Sequence, residues 1–252
     1  MDLGLKGNKV ILTGGSRGIG RAALEIFCAE GCDVAFFSRN PQQVSETVVF
    51  LSKFGGKVHG STFDMNNVAG YRAWLTDAAE KLGGCDIFVP GASSSGSQLT
   101  GDWQKSFEFD LMGTVNGCEA LQPYLEKSAS GSVVIMSSTA AVETFLVPQA
   151  FNSIKAALLT YSKQLSQAWG PKGIRVNAVS PGPVSFPTGN WEAIKSAMPD
   201  LYSATATQFA LGRFGAPDDI ARSIVFLASP ASAYTTGANL VIDGGYTKRV
   251  QF

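Results

Sequence analysis

The stretch Thr13-Gly14-Gly15-Ser16-Arg17-Gly18-Ile19-Gly20 constrains this chain more than any other. It follows a short β-branched run, Lys9–Thr13 (KVILT), and leads into Arg21–Glu30, where Ala23, Leu24, Phe27 and Cys28 form one apolar stripe at helical spacing. A strand, a glycine turn and a helix in that order gather unpaired backbone N–H groups and the positive end of the helix dipole at one point. Gly14, Gly18 and Gly20, in the spacing GxxxGxG, allow the tight turn and let an anionic group come close to the main chain. Gly31 is the expected helix stop.

The same alternation runs to the end of the chain. Strands are expected at Asp33–Phe37, Lys57–Phe63, Asp86–Val89, Ser132–Met136, Ile174–Val179 and Asn239–Ile242. Helices are expected at Pro41–Phe54, Val68–Leu82, Asp102–Glu126, Gln149–Gly170 and Asp218–Leu227. The strands are apolar without interruption, as burial on both faces requires. This pattern predicts an α/β, doubly wound Rossmann fold: a parallel seven-stranded sheet with helices on both faces. No linker, charge block or internal repeat divides the chain, so residues 1–252 read as a single domain. Residues 183–211, rich in Phe, Trp, Met and Tyr, read as an irregular segment where a substrate lid could sit.

Composition narrows the function classes. Hydrophobic residues make up 45% and charged residues 16%, enough for a large core. Lys+Arg and Asp+Glu both number 20, so there is no electrostatic reason to expect a nucleic-acid or anionic-membrane partner. No apolar run approaches the ~18 residues of a membrane span, and Met1–Gly7 does not read as a signal peptide. Cys28, Cys32, Cys85 and Cys118 show no metal-like grouping, and His59 is the only histidine. Free buried thiols, no metal and a cytoplasmic location are the expectations.

The second strand bears on the nucleotide. A site for NAD usually carries an Asp or Glu there, to bind the ribose 2′-hydroxyl. Here the strand ends in Phe37-Ser38-Arg39-Asn40, with no carboxylate. Arg39, and Arg17 within the glycine turn, could pair with a 2′-phosphate through bidentate hydrogen bonds. These residues favour NADP(H) over NAD(H).

From Leu3 to Gly245 the chain resembles the short-chain dehydrogenase/reductase family. The resemblance rests on the glycine turn, Phe63-Asp64-Met65, Ser138, the helix Phe151–Lys155, the Pro181-Gly182 turn, and the segments Gly212–Pro217, Phe226–Ser229 and Asp243–Gly245. It implies an NAD(P)-dependent oxidoreductase. The implied cofactor-binding set is Gly14, Ser16, Arg17, Gly18, Ile19, Gly20, Ser38, Arg39, Asp64, Met65, Gly91, Ala92, Lys155, Pro181, Gly182 and Val184. In that family a Tyr protonates the carbonyl oxygen, a Lys four residues on lowers the Tyr pKa and holds the nicotinamide ribose, a Ser binds the carbonyl oxygen, and an Asn anchors a water behind the Lys. Hydride addition makes an alkoxide, so the chemistry needs an acid and an oxyanion donor.

This chain departs from the pattern at the reaction centre. Ser138 and Lys155 are present, but the Tyr position is Phe151 and the Asn position is Asp110. The family's NNAG turn reads Pro90-Gly91-Ala92-Ser93. Tyr161, the nearest Tyr, has no Lys at the required offset. Phe151 is compatible with an engineered Tyr→Phe change, with a divergent enzyme using another donor, such as Asp110 or a water, and with a non-catalytic nucleotide-binding relative. Non-redox chemistry on the same scaffold is a further alternative. Asp110 reads either as a salt-bridge partner of Lys155 or as a surface acid.

Ser93, Phe145, Phe186 and Trp191 are the expected pocket wall, with Leu146, Val184, Pro187, Ile194, Met198, Leu201 and Tyr202 nearby. Such a lining favours a hydrophobic or ring-bearing small molecule. The resemblance also implies a homotetramer or homodimer, built on the two long helices.

Overall fold

The structure, a computed structural model, describes residues 2–94, 102–144 and 148–250. The strands are β1 (Lys9–Thr13), β2 (Asp33–Ser38), β3 (Val58–Thr62), β4 (Ile87–Pro90), β5 (Ser132–Met136), β6 (Arg175–Pro181) and β7 (Asn239–Ile242). They form one seven-stranded sheet in the order β3-β2-β1-β4-β5-β6-β7, parallel throughout. Side chains alternate across it. Val10 and Leu12 belong to one buried cluster and Ile11 to the other; Val34 and Phe36 are likewise divided from Ala35 and Phe37. Both faces are dry over β1, β2, β4 and β5, which read as nearly unbroken apolar runs. The edge strands β3 (VHGST) and β7 (NLVI) have no buried residue, against the expectation of uninterrupted apolar strands.

One face is covered by α1 (Gly18–Ala29), α2 (Pro41–Leu51) and α9 (Pro217–Ala228). The other is covered by α3 (Val68–Leu82), α5 (Gly113–Leu125) and α6 (Ala150–Trp169). The chain order reverses between β1 and β4, so the loops leaving these strands diverge and open a crevice at their carboxyl ends.

Four further expectations need correction. The glycine turn is shorter than read, because α1 begins at Gly18 rather than Arg21. Phe54 is not on a buried stripe; it lies in a 3₁₀ turn after α2 and is 42% exposed. The helix expected over 102–126 is not uniform. It starts as α4 (Trp103–Ser106), capped by the Asp102 carboxylate on Lys105 N, widens into a π-helical turn over Phe107–Met112, and continues as α5. Asp110 lies in that turn, a feature apolar periodicity does not reveal. Finally, residues 183–211 are not irregular, for they hold α7 (Asn190–Ala197) and α8 (Pro199–Ala206).

Candidate active site

At the glycine-loop end the crevice is walled by main chain. Gly14 has φ +80°, and a Cβ there would lie 3.0 Å from Ala92 Cα. A Cβ on Gly20 would come within 2.4 Å of the Gly14 carbonyl oxygen. Side chains are thus excluded where the turn folds onto α1. That helix has no acidic residue in its first turn and no side-chain cap, so its N-terminal N–H groups are left for an anion. The neighbouring loop is fixed by Thr13, whose hydroxyl oxygen accepts from Gly91 N and Ala92 N, both at 3.0 Å. Thr13 is 1% exposed, so the two loops meet through a buried hydroxyl.

The end of β2 supplies the polar rim. Ser16 Oγ donates to Ser38 Oγ at 2.7 Å and lies 3.1 Å from Gln43 Oε1. Arg39 is exposed at the edge of the crevice. Arg17 also lines it, but its guanidinium donates to the Thr188 carbonyl at 3.1 Å and is turned toward the segment after β6. Met65 lines the crevice, whereas Asp64 is not among the lining residues. Its carboxylate accepts from Asn66 N and Nδ2 and shapes the approach to α3.

At the reaction end the chain uses side chains. Ser137 and Ser138 divide their roles at the end of β5. Ser137 is buried, and its Oγ donates to the Lys155 carbonyl at 2.9 Å, tying the strand to α6. Ser138 lines the crevice; its Oγ accepts from Ala140 N at 3.2 Å, which leaves its own O–H to donate. Phe151 and Lys155 lie on successive turns of α6, with Lys155 Nζ 5.5 Å from the Phe151 ring centre. Lys155 Nζ donates to the Met136 carbonyl at 3.0 Å and stands 3.1 Å from Asp110 Oδ1. The Asp110 side chain is 1% exposed and that of Lys155 6%, so Asp110 is a buried partner of Lys155 and not a surface acid.

Asp110 does not line the crevice; it stands behind Lys155. Burial pushes its carboxyl up, but the Lys155 ammonium and hydrogen bonds from Ser93 and Ser94 outweigh burial and hold it below the usual carboxylate range. Ser94 escaped the sequence reading because it carries no family signal and meets Asp110 only through the fold. Tyr161 is no substitute donor. It lies outside the crevice beside Cys118, and burial pushes its hydroxyl pKa up. The four cysteines are free and buried, and burial pushes the Cys28 and Cys118 thiols up to about 12.

The segment after β6 closes over the crevice. Pro181, Gly182, Val184, Phe186, Trp191 and Ile194 line it. The Phe186 ring packs on the glycine loop, where a Cβ on Gly18 would meet its Cζ at 2.6 Å. Thr188 has φ +65°, a left-handed conformation uncommon for a β-branched residue. Phe214 anchors the segment: Tyr202 stacks on it at 4.5 Å and Trp191 lies 5.1 Å away. Tyr202, Met198, Leu201 and Pro187 are not among the lining residues. Phe145 and Leu146 lie outside the described residues. Gln149, Asn190 and Tyr246 also line the crevice, and the sequence reading did not single them out. The whole forms one cavity of about 710 Å³, from Arg39 through the glycine loop to Ser138 and Lys155.

Comparison with known proteins agrees with this architecture. A family model described as Enoyl-(Acyl carrier protein) reductase matches residues 14–247. The chain is 36% identical over 257 residues to isoepoxydon dehydrogenase patN of Penicillium expansum, covering 100% of this chain and 99% of that one. It is 30% identical over 253 residues to 3-oxoacyl-[acyl-carrier-protein] reductase FabG of Chlamydia pneumoniae, covering 98% and 100%. Its fold superposes with a TM-score of 0.91 on the crystal structure of L-sorbose reductase from Gluconobacter frateurii complexed with NADPH and L-sorbose, at 29% identity and with 99% and 100% of the chains covered. By this family match and this full-length similarity, the chain belongs to the short-chain dehydrogenase/reductase family of oxidoreductases.

Proposed function

We propose that this protein is an NADP(H)-dependent oxidoreductase acting on a carbonyl, or an imine, of a hydrophobic small molecule. The observation that carries the reading is the single cavity joining a main-chain anion cradle to Ser138 and Lys155. The donor set fits the nucleotide: α1 offers N–H groups without a competing acid, and the end of β2 offers Ser38 and Arg39 without a carboxylate. Gly14, Ser16, Arg17, Gly18, Ile19 and Gly20 would hold the diphosphate side. Gly91, Ala92, Met65, Pro181, Gly182 and Val184 would flank the rings, and Lys155 the nicotinamide ribose. The NADPH in the sorbose reductase complex supports this choice.

The bound nicotinamide supplies the hydride. Ser138, whose O–H is left to donate, would then bind the carbonyl oxygen as negative charge develops on it. Phe151 has no proton to give, so the oxygen takes its proton from water; an iminium substrate would need none. Phe186, Trp191 and Ile194 exclude water from the apolar side of the substrate. As an expectation carried from the family, the protein assembles as a homotetramer or homodimer through α5 and α6, which light scattering in solution tests.

Calorimetric titration with NADPH and NADH, followed by NADPH absorbance with a panel of cyclic ketones and imines, tests the assignment. Tighter binding of NADPH and its stoichiometric oxidation are expected. Tighter NADH binding, or product formation without nucleotide oxidation, would refute it.

A further inference from the structure

The departures at Asp110 and at the turn after β4 meet in space. Ser93 Oγ donates to Asp110 Oδ1. Ser94 donates twice to Asp110 Oδ2, from its backbone N at 3.0 Å and its Oγ at 2.5 Å. Lys155 Nζ is the fourth neighbour, at 3.1 Å from Oδ1. An ionised carboxylate offers about four lone-pair sites and no donor. Here four donors come from two elements, two on each oxygen. A neutral Asn offers a single acceptor oxygen and an NH₂ that would face these hydroxyls, so the pair of serines suits an Asp. A buried carboxylate with Lys155 as its only partner would retain a large desolvation penalty, and the three serine donors offset it.

The geometry also fixes Lys155. An ammonium has three N–H donors. Two are engaged on the interior side, with Asp110 and the Met136 carbonyl, and the residue lines the crevice. We propose that Ser93 and Ser94 are positioning residues: with the Ser94 N–H they saturate Asp110 as a fixed counter-ion, and Asp110 in turn aims the remaining Lys155 N–H into the crevice. Ser93 lines the crevice and, through its hydroxyl, also supports the charge cluster. Asp110, with its acceptor sites filled and no proton of its own, does not protonate substrate. The orienting role rests on the proposed nucleotide reading, in which that N–H meets the nicotinamide ribose; the saturation of Asp110 does not.

The test is the double variant Ser93→Ala/Ser94→Ala, with aspartate carboxyls labelled with ¹³C and titrated by NMR alongside NADPH calorimetry. Lys155 is the charged group facing Asp110 and is untouched in the double variant, so a change in the Asp110 titration reads the serines. The expected result is an upward move of the Asp110 titration and about tenfold weaker NADPH binding. Ser94→Thr alone, which keeps both Ser94 donors, is expected to leave each at its wild-type value. Should the double variant fail to fold, Ser94→Ala removes one donor of the four and is expected to shift the titration in the same direction. A purely structural role would lower the melting temperature and leave the titration unmoved, which overturns the proposal. A moved titration with unchanged NADPH affinity overturns the orienting half. If the wild-type protein binds no NADPH, the functional reading falls together with the orienting role, and the titration still decides whether the serines hold Asp110.

Discussion

The glycine-loop end of the crevice is built from backbone, and the end at Lys155 from buried charge. At Gly14 and Gly20 the requirement is the absence of a side chain, because a Cβ would strike Ala92 or the Gly14 carbonyl. At Asp110, Lys155, Ser93 and Ser94 the requirement is a set of partners drawn from the turn after β4, the π-helical turn and α6. A main-chain cradle admits few substitutions, since no other residue removes the Cβ. A charge cluster can change in concert, because one partner compensates another. This contrast would account for a glycine loop that keeps the pattern the resemblance implies beside a centre that departs from that implied pattern at Phe151, Asp110 and Ser93.

The comparison can be broken by moving each end alone. Phe151→Tyr places a hydroxyl beside Lys155 and is expected to raise carbonyl turnover by ~10²–10⁴-fold, with NADPH affinity unchanged. Steady-state kinetics reads it, and no gain would show that this centre delivers its proton by another route. Lys155→Met strands a buried carboxylate and is expected to cost about 3–5 kcal/mol near neutral pH. Asp110 is held below the usual carboxylate range when folded, so its contribution is complete above that range and is lost as pH falls through the folded value. Urea melts should accordingly show the gap between wild type and variant narrowing in acid. A pH-independent gap would mean that Asp110 is not the ionised partner.

At the other end, Gly20→Val forces the loop off the Gly14 carbonyl and is expected to weaken NADPH binding ~10²-fold or more by calorimetry, consistent with the loss of more than one charge-assisted hydrogen bond. The smallest effect is expected from Arg39→Ala. NADPH affinity should fall about tenfold while NADH affinity stays, as a lost contact to a phosphate requires. Equal losses for both nucleotides would remove Arg39 from the 2′-phosphate.

The sequence made the two ends unequally legible. The fold and the glycine loop follow from local rules: apolar central strands and a glycine turn between strand and helix. Ser138 and Lys155 were legible through the family resemblance. The Asp110–Lys155 pair could only be posed as an alternative, because nothing in the spacing of 110 and 155 shows that the side chains meet. Ser94 was invisible, since its role depends on β4 and the π-helical turn coming together. The segment 183–211 was misread as irregular because its helices are short and have no buried apolar stripe of their own; Thr205 is the only buried residue in α7 and α8.

A crystal structure of the protein soaked with NADPH tests the central claim most directly. It should show the diphosphate accepting hydrogen bonds from the N-terminal N–H groups of α1, with the 2′-phosphate beside Ser38 and Arg39. A nucleotide bound elsewhere, or one that leaves those main-chain donors facing solvent, would contradict it.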